Sequence, residues 1–229
     1  MKTLNPVVFL VLIGTFLLSS CNKENTEADV VKDIDGNSYH YVTIGTQVWF
    51  KENLRTTTLN DGTDIPLVTD NTEWAELSTM AYSWYDNNSS ANKNVYGALY
   101  NWYTVNTGKL CPEGWHVPSH SEFVVLADFL GGKDIAGGKM KETGFEHWKD
   151  PNEGASNEGD FTGLGHGQRN TEGTFGYMFE YGLHWTQTEA LSYTAHSFGS
   201  GHNSTTAYGY QTSGSTIKEV GLAVRCVKD

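Results

Sequence analysis

The chain has 229 residues, enough for one domain of generous size with an appendage at its N-terminus. Hydrophobic residues make up 38% of it and aromatics 13%, so it can bury a real core, while 25 glycines speak for turns and long loops and against a helical bundle. Its formal charge of −12 repels phosphate backbones, which sets nucleic acid aside as a partner.

Lys2 is followed by an apolar run from Val7 to Leu18 that only Gly14 and Thr15 interrupt, the layout of a secretory signal. A bilayer span needs about 20 apolar residues, and this run is shorter. At its end, Leu18-Ser19-Ser20-Cys21 resembles a bacterial lipobox. The resemblance implies that residues 1–20 are a lipoprotein signal peptide and that Cys21 carries diacylglycerol on a newly acylated N-terminus. Three acyl chains hold a membrane firmly, since each buried methylene contributes roughly 0.8 kcal/mol. Residues 21–29 are polar, acidic and without periodicity, and read as a flexible tether. An acidic stretch directly behind the lipid resembles the signal by which Bacteroidota-type bacteria send lipoproteins to the outer face of the outer membrane. The expected location is therefore an outer membrane lipoprotein facing the cell surface.

Residues 30–229 read as a folded domain. Val30–Ile34 and Ser38–Ile44 flank an Asp35-Gly36 turn and predict a hairpin, with Gln47–Phe50 as a further strand after Gly45-Thr46. Thr72 is placed to cap a short helix through Leu77. Val95, Leu99, Trp102 and Tyr103 recur at helical spacing and predict a helix over Val95–Val105 with an aromatic stripe that belongs to the core. After the rigid Cys111-Pro112-Glu113-Gly114-Trp115 segment, Ser119 and Glu122 form a capping box. The helix it opens carries Phe123, Leu126, Ala127 and Leu130 on one face and ends at Gly131-Gly132.

A short broken helix is expected around Gly137–Glu142, and residues 143–182 as a long surface excursion. Trp148, Phe161 and Phe175 should hold that excursion to the body, with Glu153 to Gly159 exposed. Strands are expected at Leu183–Thr186, Tyr193–Phe198, Thr205–Tyr210 and Val220–Val227. Two amphipathic helices among such strands indicate an α+β fold.

Several ordered blocks then carry a family resemblance: Asp33-Ile34-Asp35-Gly36-Asn37, Gln47-Val48-Trp49, Tyr96 to Tyr103, Gly108 to Pro118, Ala136 to Lys141, and Val224 to Asp229. From about Val31 to the end, the chain resembles the Fibrobacter succinogenes major paralogous domain family of secreted and lipid-anchored bacterial proteins. More distantly the pattern resembles the C-type lectin-like fold of formylglycine-generating enzymes, through Val117-Pro118-Ser119 with Glu122 and through Gly221 to Cys226. The resemblance implies a single C-type lectin-like domain with mixed or antiparallel sheets, two main helices and long loops. The chain departs from it at Leu222, where an aromatic is missing, and at His184-Trp185-Thr186-Gln187.

With Cys21 assigned to lipid, Cys111 and Cys226 in an exported domain are most simply a disulfide, the rival being a catalytic or metal-binding thiol pair. The eight histidines show no tight metal spacing, and Pro118 prevents His116 and His120 from forming a helical pair. No phosphate loop, G-x-S-x-G elbow or H-E-x-x-H motif is present. Asp150, Asn152, Asn157, Glu158 and Asp160 form the one oxygen-rich loop, so Ca2+ is the sole cofactor considered. Trp148, Trp185, Tyr193 and Tyr208 are the aromatic candidates for ligand contact. The expectation is a non-enzymatic surface binding or adhesion module, with a glycan or a cell-envelope protein as partner. The rivals are a structural component of a surface assembly and an enzyme of unknown reaction.

Overall fold

Asp33 closes the first turn, accepting hydrogen bonds from Asn37 N at 2.8 Å and from the Tyr39 hydroxyl at 2.6 Å. The computed structural model in which this is seen describes residues 1–2, 30–211 and 215–229. Apart from residues 1–2, the expected signal peptide, the Cys21 lipid site and the tether lie outside the described residues. The Asp33 turn joins β1 (Val30–Lys32) to β2 (Ser38–Ile44), and Gly45 turns the chain into β3 (Gln47–Phe50). Gly45 has φ 62°, and a Cβ there would lie 2.8 Å from the ring of Phe129, so only glycine fits.

The next helix is α1 (Asn71–Ala75), capped by Asp70 rather than Thr72: the Asp70 carboxylate accepts from Glu73 N. The expected helix over Val95–Val105 is not formed as one piece. It is split into α2 (Ser89–Tyr96), β5 (Leu99–Tyr100) and α3 (Trp102–Val105), while β4 (Tyr82–Ser83) pairs with β5. Gly97 is the break, because a Cβ there would sit 2.7 Å from Leu54 O. Beyond it, Ala98 N bonds Leu54 O, and Tyr100 exchanges both backbone bonds with Leu222. Distant backbone partners thus displace the local helix. The aromatic stripe is nevertheless core, with Tyr100 and Trp102 buried.

After β6 (Trp115–His116), the Ser119 capping box opens α4 (His120–Phe129) as expected, and Phe123, Leu126, Ala127 and Leu130 are all buried. Helix α5 (Lys133–Met140) contains Gly137 and Gly138 within it instead of breaking at them. Their missing side chains let the helix meet other backbone: a Cβ on Gly137 would lie 2.1 Å from Thr206 O.

The excursion over 143–182 is more structured than expected, carrying β7 (His166–Arg169) and β8 (Phe175–Met178) as a hairpin and the start of β9 (Tyr181–Leu191). Trp148 and Phe161 are buried, and Phe175 packs half-buried between Tyr85 and the Arg169 guanidinium. Strand β9 pairs with β10 (Thr194–Gly201), which pairs with β11 (Ser215–Ile217). Every residue of β10 is buried, as suits a central strand covered on both faces. Residues 205–210 are not a strand, their one bridge to β10 being Tyr208 with Gly199.

The stretch from Gly221 to Cys226 stitches these pieces together. Gly221 bridges to Arg169 of β7, Leu222 to Tyr100 of β5 and Ala223 to His184 of β9, and the carbonyls of Val224 and Cys226 receive Leu54 N and Phe50 N. Because its backbone bonds go to several partners in turn, regular strand begins only just beyond it, at β12 (Val227–Lys228). There it lies between β3 and β6, giving a five-stranded sheet in the order β1-β2-β3-β12-β6 beside the three-stranded sheet β11-β10-β9. All pairs of named strands are antiparallel, and the class is α+β. Two main helices were expected; five short ones are found among the described residues. None of these is long and apolar enough to cross a membrane.

Cys111 and Cys226 form the disulfide, with Cα atoms 6.1 Å apart. It ties the segment before β6 to the stitching strand. One cluster of buried aromatics, including Phe50, Tyr100, Trp102 and Trp185, surrounds it. A second lies between α4 and β10, where Phe123 and Phe198 stack at 4.3 Å and Trp49 tilts against Phe123 at 5.0 Å.

Candidate functional site

Alternation along a strand puts Tyr181 and Leu183 of β9 on the same face, and beside them β10 presents Ser197. The Ser197 hydroxyl shares a 2.7 Å hydrogen bond with that of Thr216 on β11. Gly209 closes one end of this surface. Its φ is 76°, and a Cβ would lie 1.9 Å from Ser197 O, so the loop can press onto β10 only without a side chain. That close approach sets Tyr208 next to Tyr181, with ring centroids 6.2 Å apart. Tyr177 at the end of β8 meets Tyr181 from the other side at 5.5 Å and 70°. Gln168 of β7 completes the wall, its amide oriented by a 2.9 Å bond to Asn170.

The result is an open cleft of about 410 Å³, within the range of small-ligand sites. It offers three tyrosine rings, two aliphatic hydroxyls in addition to Ser215, and one amide. Among the described residues lining it there is no carboxylate, imidazole, ammonium or guanidinium. Such a cleft can stack on and hydrogen-bond a neutral ligand.

Of the four aromatic candidates, Tyr208 lies in this cleft. Trp148 and Trp185 are core residues, 2% and 0% exposed, with their indole N–H groups donating to Gly163 O and Tyr100 O. Trp185 therefore shows no ring face to a ligand, while Trp148 borders a second cleft beside the β8–β9 hairpin with its indole N–H satisfied inside. Tyr193 is 61% exposed but stands at the β9–β10 turn, the far end of that hairpin from the cleft. Tyr177 and Tyr181 were missed. Their signal was present in Gly176-Tyr177-Met178-Phe179-Glu180-Tyr181-Gly182, a glycine-bounded run with aromatics at alternate positions.

The oxygen-rich loop does not gather its five candidates around one point. Asn152 turns inward, its amide donating to Glu142 O and Gly144 O, and Asn157 accepts from Thr162 N. Glu158 pairs with Lys139 and Asp160 with Lys51, while Asp150 precedes Pro151 through a cis bond. Among the described residues no group of three or more His, Cys, Asp or Glu side chains is placed to hold a metal.

Two histidine clusters also arise. His116 lies between Asp229, 2.6 Å from Nδ1, and Glu122, 2.8 Å from Nε2. Burial pulls its pKa down, but the hydrogen bonds to the two carboxylates prevail and raise it. Ser119 bonds Glu122 and not the imidazole, so no nucleophile–base pair exists and the cluster latches Asp229 to α4. The other cluster is sealed in the interior. Asn53 Oδ1 accepts from His184 Nε2 at 3.0 Å and from Arg225 Nη2 at 3.0 Å, and the His166 ring meets His184 at 4.9 Å. Arg225 lies over the Phe161 ring and donates to the carbonyls of Phe161 and Thr162. Burial lowers its pKa to about 9, which leaves it charged at neutral pH.

Compared with known proteins, residues 42–228 match the family model described as the Fibrobacter succinogenes major domain. No curated protein and no solved structure matches the chain.

Proposed function

We propose that this chain, which belongs to the Fibrobacter succinogenes major domain family, is a non-enzymatic binding module displayed on a bacterial surface, with a neutral glycan as its ligand. The observation that carries the reading is the tyrosine cleft. Aromatic faces suit the apolar faces of sugar rings, while the hydroxyls of Ser197 and Thr216 and the Gln168 amide suit sugar hydroxyls. The lack of carboxylate and imidazole side chains among its described lining residues weighs against hydrolysis or transfer in the same cleft. A lectin-like reading of the fold goes with this: the first strands and the last share one sheet, and the long excursion between them supplies Gln168, Tyr177 and Tyr181 to the cleft.

A glycan array, followed by calorimetry on the best neutral ligands, tests the proposal. Tyr181→Ala and Tyr208→Ala should each weaken binding about tenfold, the effect of losing about 1.4 kcal/mol. Absence of binding to any neutral glycan, or undiminished binding by both variants, would overturn it; the first result would favour a structural component of a surface assembly.

The display part of the proposal rests on the Val7–Leu18 run and on Cys21. Lipidation of Cys21 would leave residues 21–29 as the tether of an outer membrane lipoprotein facing outward. Cys21→Ser should then release the protein from the membrane fraction, and unchanged membrane partition would refute the anchor.

A further inference from the structure

The two-residue connection Phe179-Glu180 between β8 and β9 separates the tyrosine cleft from a second cleft of about 460 Å³. Neighbouring residues of this one hairpin face both sides. Tyr177 and Tyr181 line the first cleft, while Met178, Phe179 and Glu180 line the second. Tyr177 and Phe179 both hold positive φ, 62° and 65°, a backbone conformation that side chains other than glycine seldom adopt. Backbone bonds hold the turn there: Phe179 N to Gly165 O at 2.7 Å, Lys149 N to Phe179 O at 2.8 Å, and His202 N to Glu180 O at 2.9 Å. The hairpin is therefore a fixed ridge and not a lid.

Across the second cleft from Phe179, which is 40% exposed, stands Phe145, 63% exposed. Two large aromatic surfaces left open on either side of one cleft are a costly arrangement for a domain with no ligand there. The charged residues restrict the ligand. Lys149 is neutralised by Glu180 at 2.8 Å, and the remaining charges, Glu146 and Asp150, are acidic. Such a cleft accepts hydrogen bonds from hydroxyls and repels carboxylates and sulfates.

We propose that the two clefts are subsites of one extended site, and that its ligand is a linear neutral oligosaccharide lying across the β8–β9 ridge. This rests on the glycan reading above. One end of the chain stacks in the tyrosine cleft, and the other reaches between Phe145 and Phe179.

The test is calorimetric titration of the full chain with neutral gluco-, manno- and xylo-oligosaccharides, each series running from disaccharide to octasaccharide. Affinity should rise about tenfold once the ligand is long enough to cross the ridge. Phe145→Ala, at an exposed position, should abolish that rise, while Tyr208→Ala should weaken every length. If affinity is flat with length, or if Phe145→Ala keeps the rise, the extended site is refuted and the tyrosine cleft is the whole site. If no length of any series binds, the glycan reading fails together with the extended site.

Discussion

Acidification from pH 7 towards pH 4 should remove about 3 kcal/mol or more of folding stability, through the sealed His166–His184 pair. Both rings are buried, and burial holds the pKa of His166 down to about 4 and that of His184 well below its ordinary value. The hydrogen bonds show why the proton is refused. His166 Nδ1 donates to Gly167 O at 3.0 Å, so its neutral form is satisfied on that side. Among the described residues its buried Nε2 has no partner, so a proton added there would find no acceptor among them. The Arg225 charge beside both rings works in the same direction.

Because the folded pKa values lie below the unfolded one, these groups stabilise the fold fully above about pH 6.5. That contribution is lost as the pH falls towards the folded values. His116 acts in the opposite sense, its raised pKa favouring the fold below about pH 6.5, but its partners are partly exposed and its effect is small. The lowered carboxylates Asp35 and Glu122 titrate in a more acidic window. Urea denaturation at pH 7.5, 6 and 5 is the measurement, with His166→Gln expected to flatten the curve. Equal stability at pH 7.5 and 5 would show that the pair is not held neutral.

Replacing either cysteine of the Cys111–Cys226 bridge by serine should cost about 2–4 kcal/mol, the usual range for native bridges. The bond closes a loop of 115 residues, for which chain-entropy models assign somewhat more, about 4–5 kcal/mol. The single variants should still fold, because the stitching strand keeps its backbone bonds to Leu54 and Phe50 and its buried aromatic surroundings. For a domain of this size the melting temperature should fall by about 2–4 °C per kcal/mol. The double variant should be little worse than either single one, since each already opens the loop. Two thiols that alkylate in the native protein would contradict the bridge.

Where the sequence and the structure part company is instructive at particular positions. The Ser119–Glu122 capping box, the Asp35-Gly36 turn and the apolar face of α4 all stand where the spacing put them. The helix expected over Val95–Val105 has equally good periodicity, yet Gly97 and the backbone of Leu54 and Leu222 turn its middle into strand. The strand expected at Thr205–Tyr210 has the right alternation but no neighbour beyond Gly199 to pair with. Trp148 and Trp185 have the composition of a binding surface and the burial of a core. In the tyrosine cleft, Tyr208 was legible by type alone, whereas its meeting with Tyr177 and Tyr181 was not.

By itself the sequence determined the local devices of this protein: caps, hairpin turns, the amphipathic face of one helix, the α+β class and the two cysteines available to pair. These depend on residues within a few positions of one another, whose geometry the backbone dictates. Only the tertiary structure decided the stitching path of Gly221–Cys226, the sealed cluster of Asn53, His166, His184 and Arg225, and the two clefts beside the β8–β9 hairpin. Each brings together side chains from separate elements, and the physical reason is the same in every case. A buried backbone or polar group must find a partner, and which distant segment supplies it depends on how all the elements pack at once.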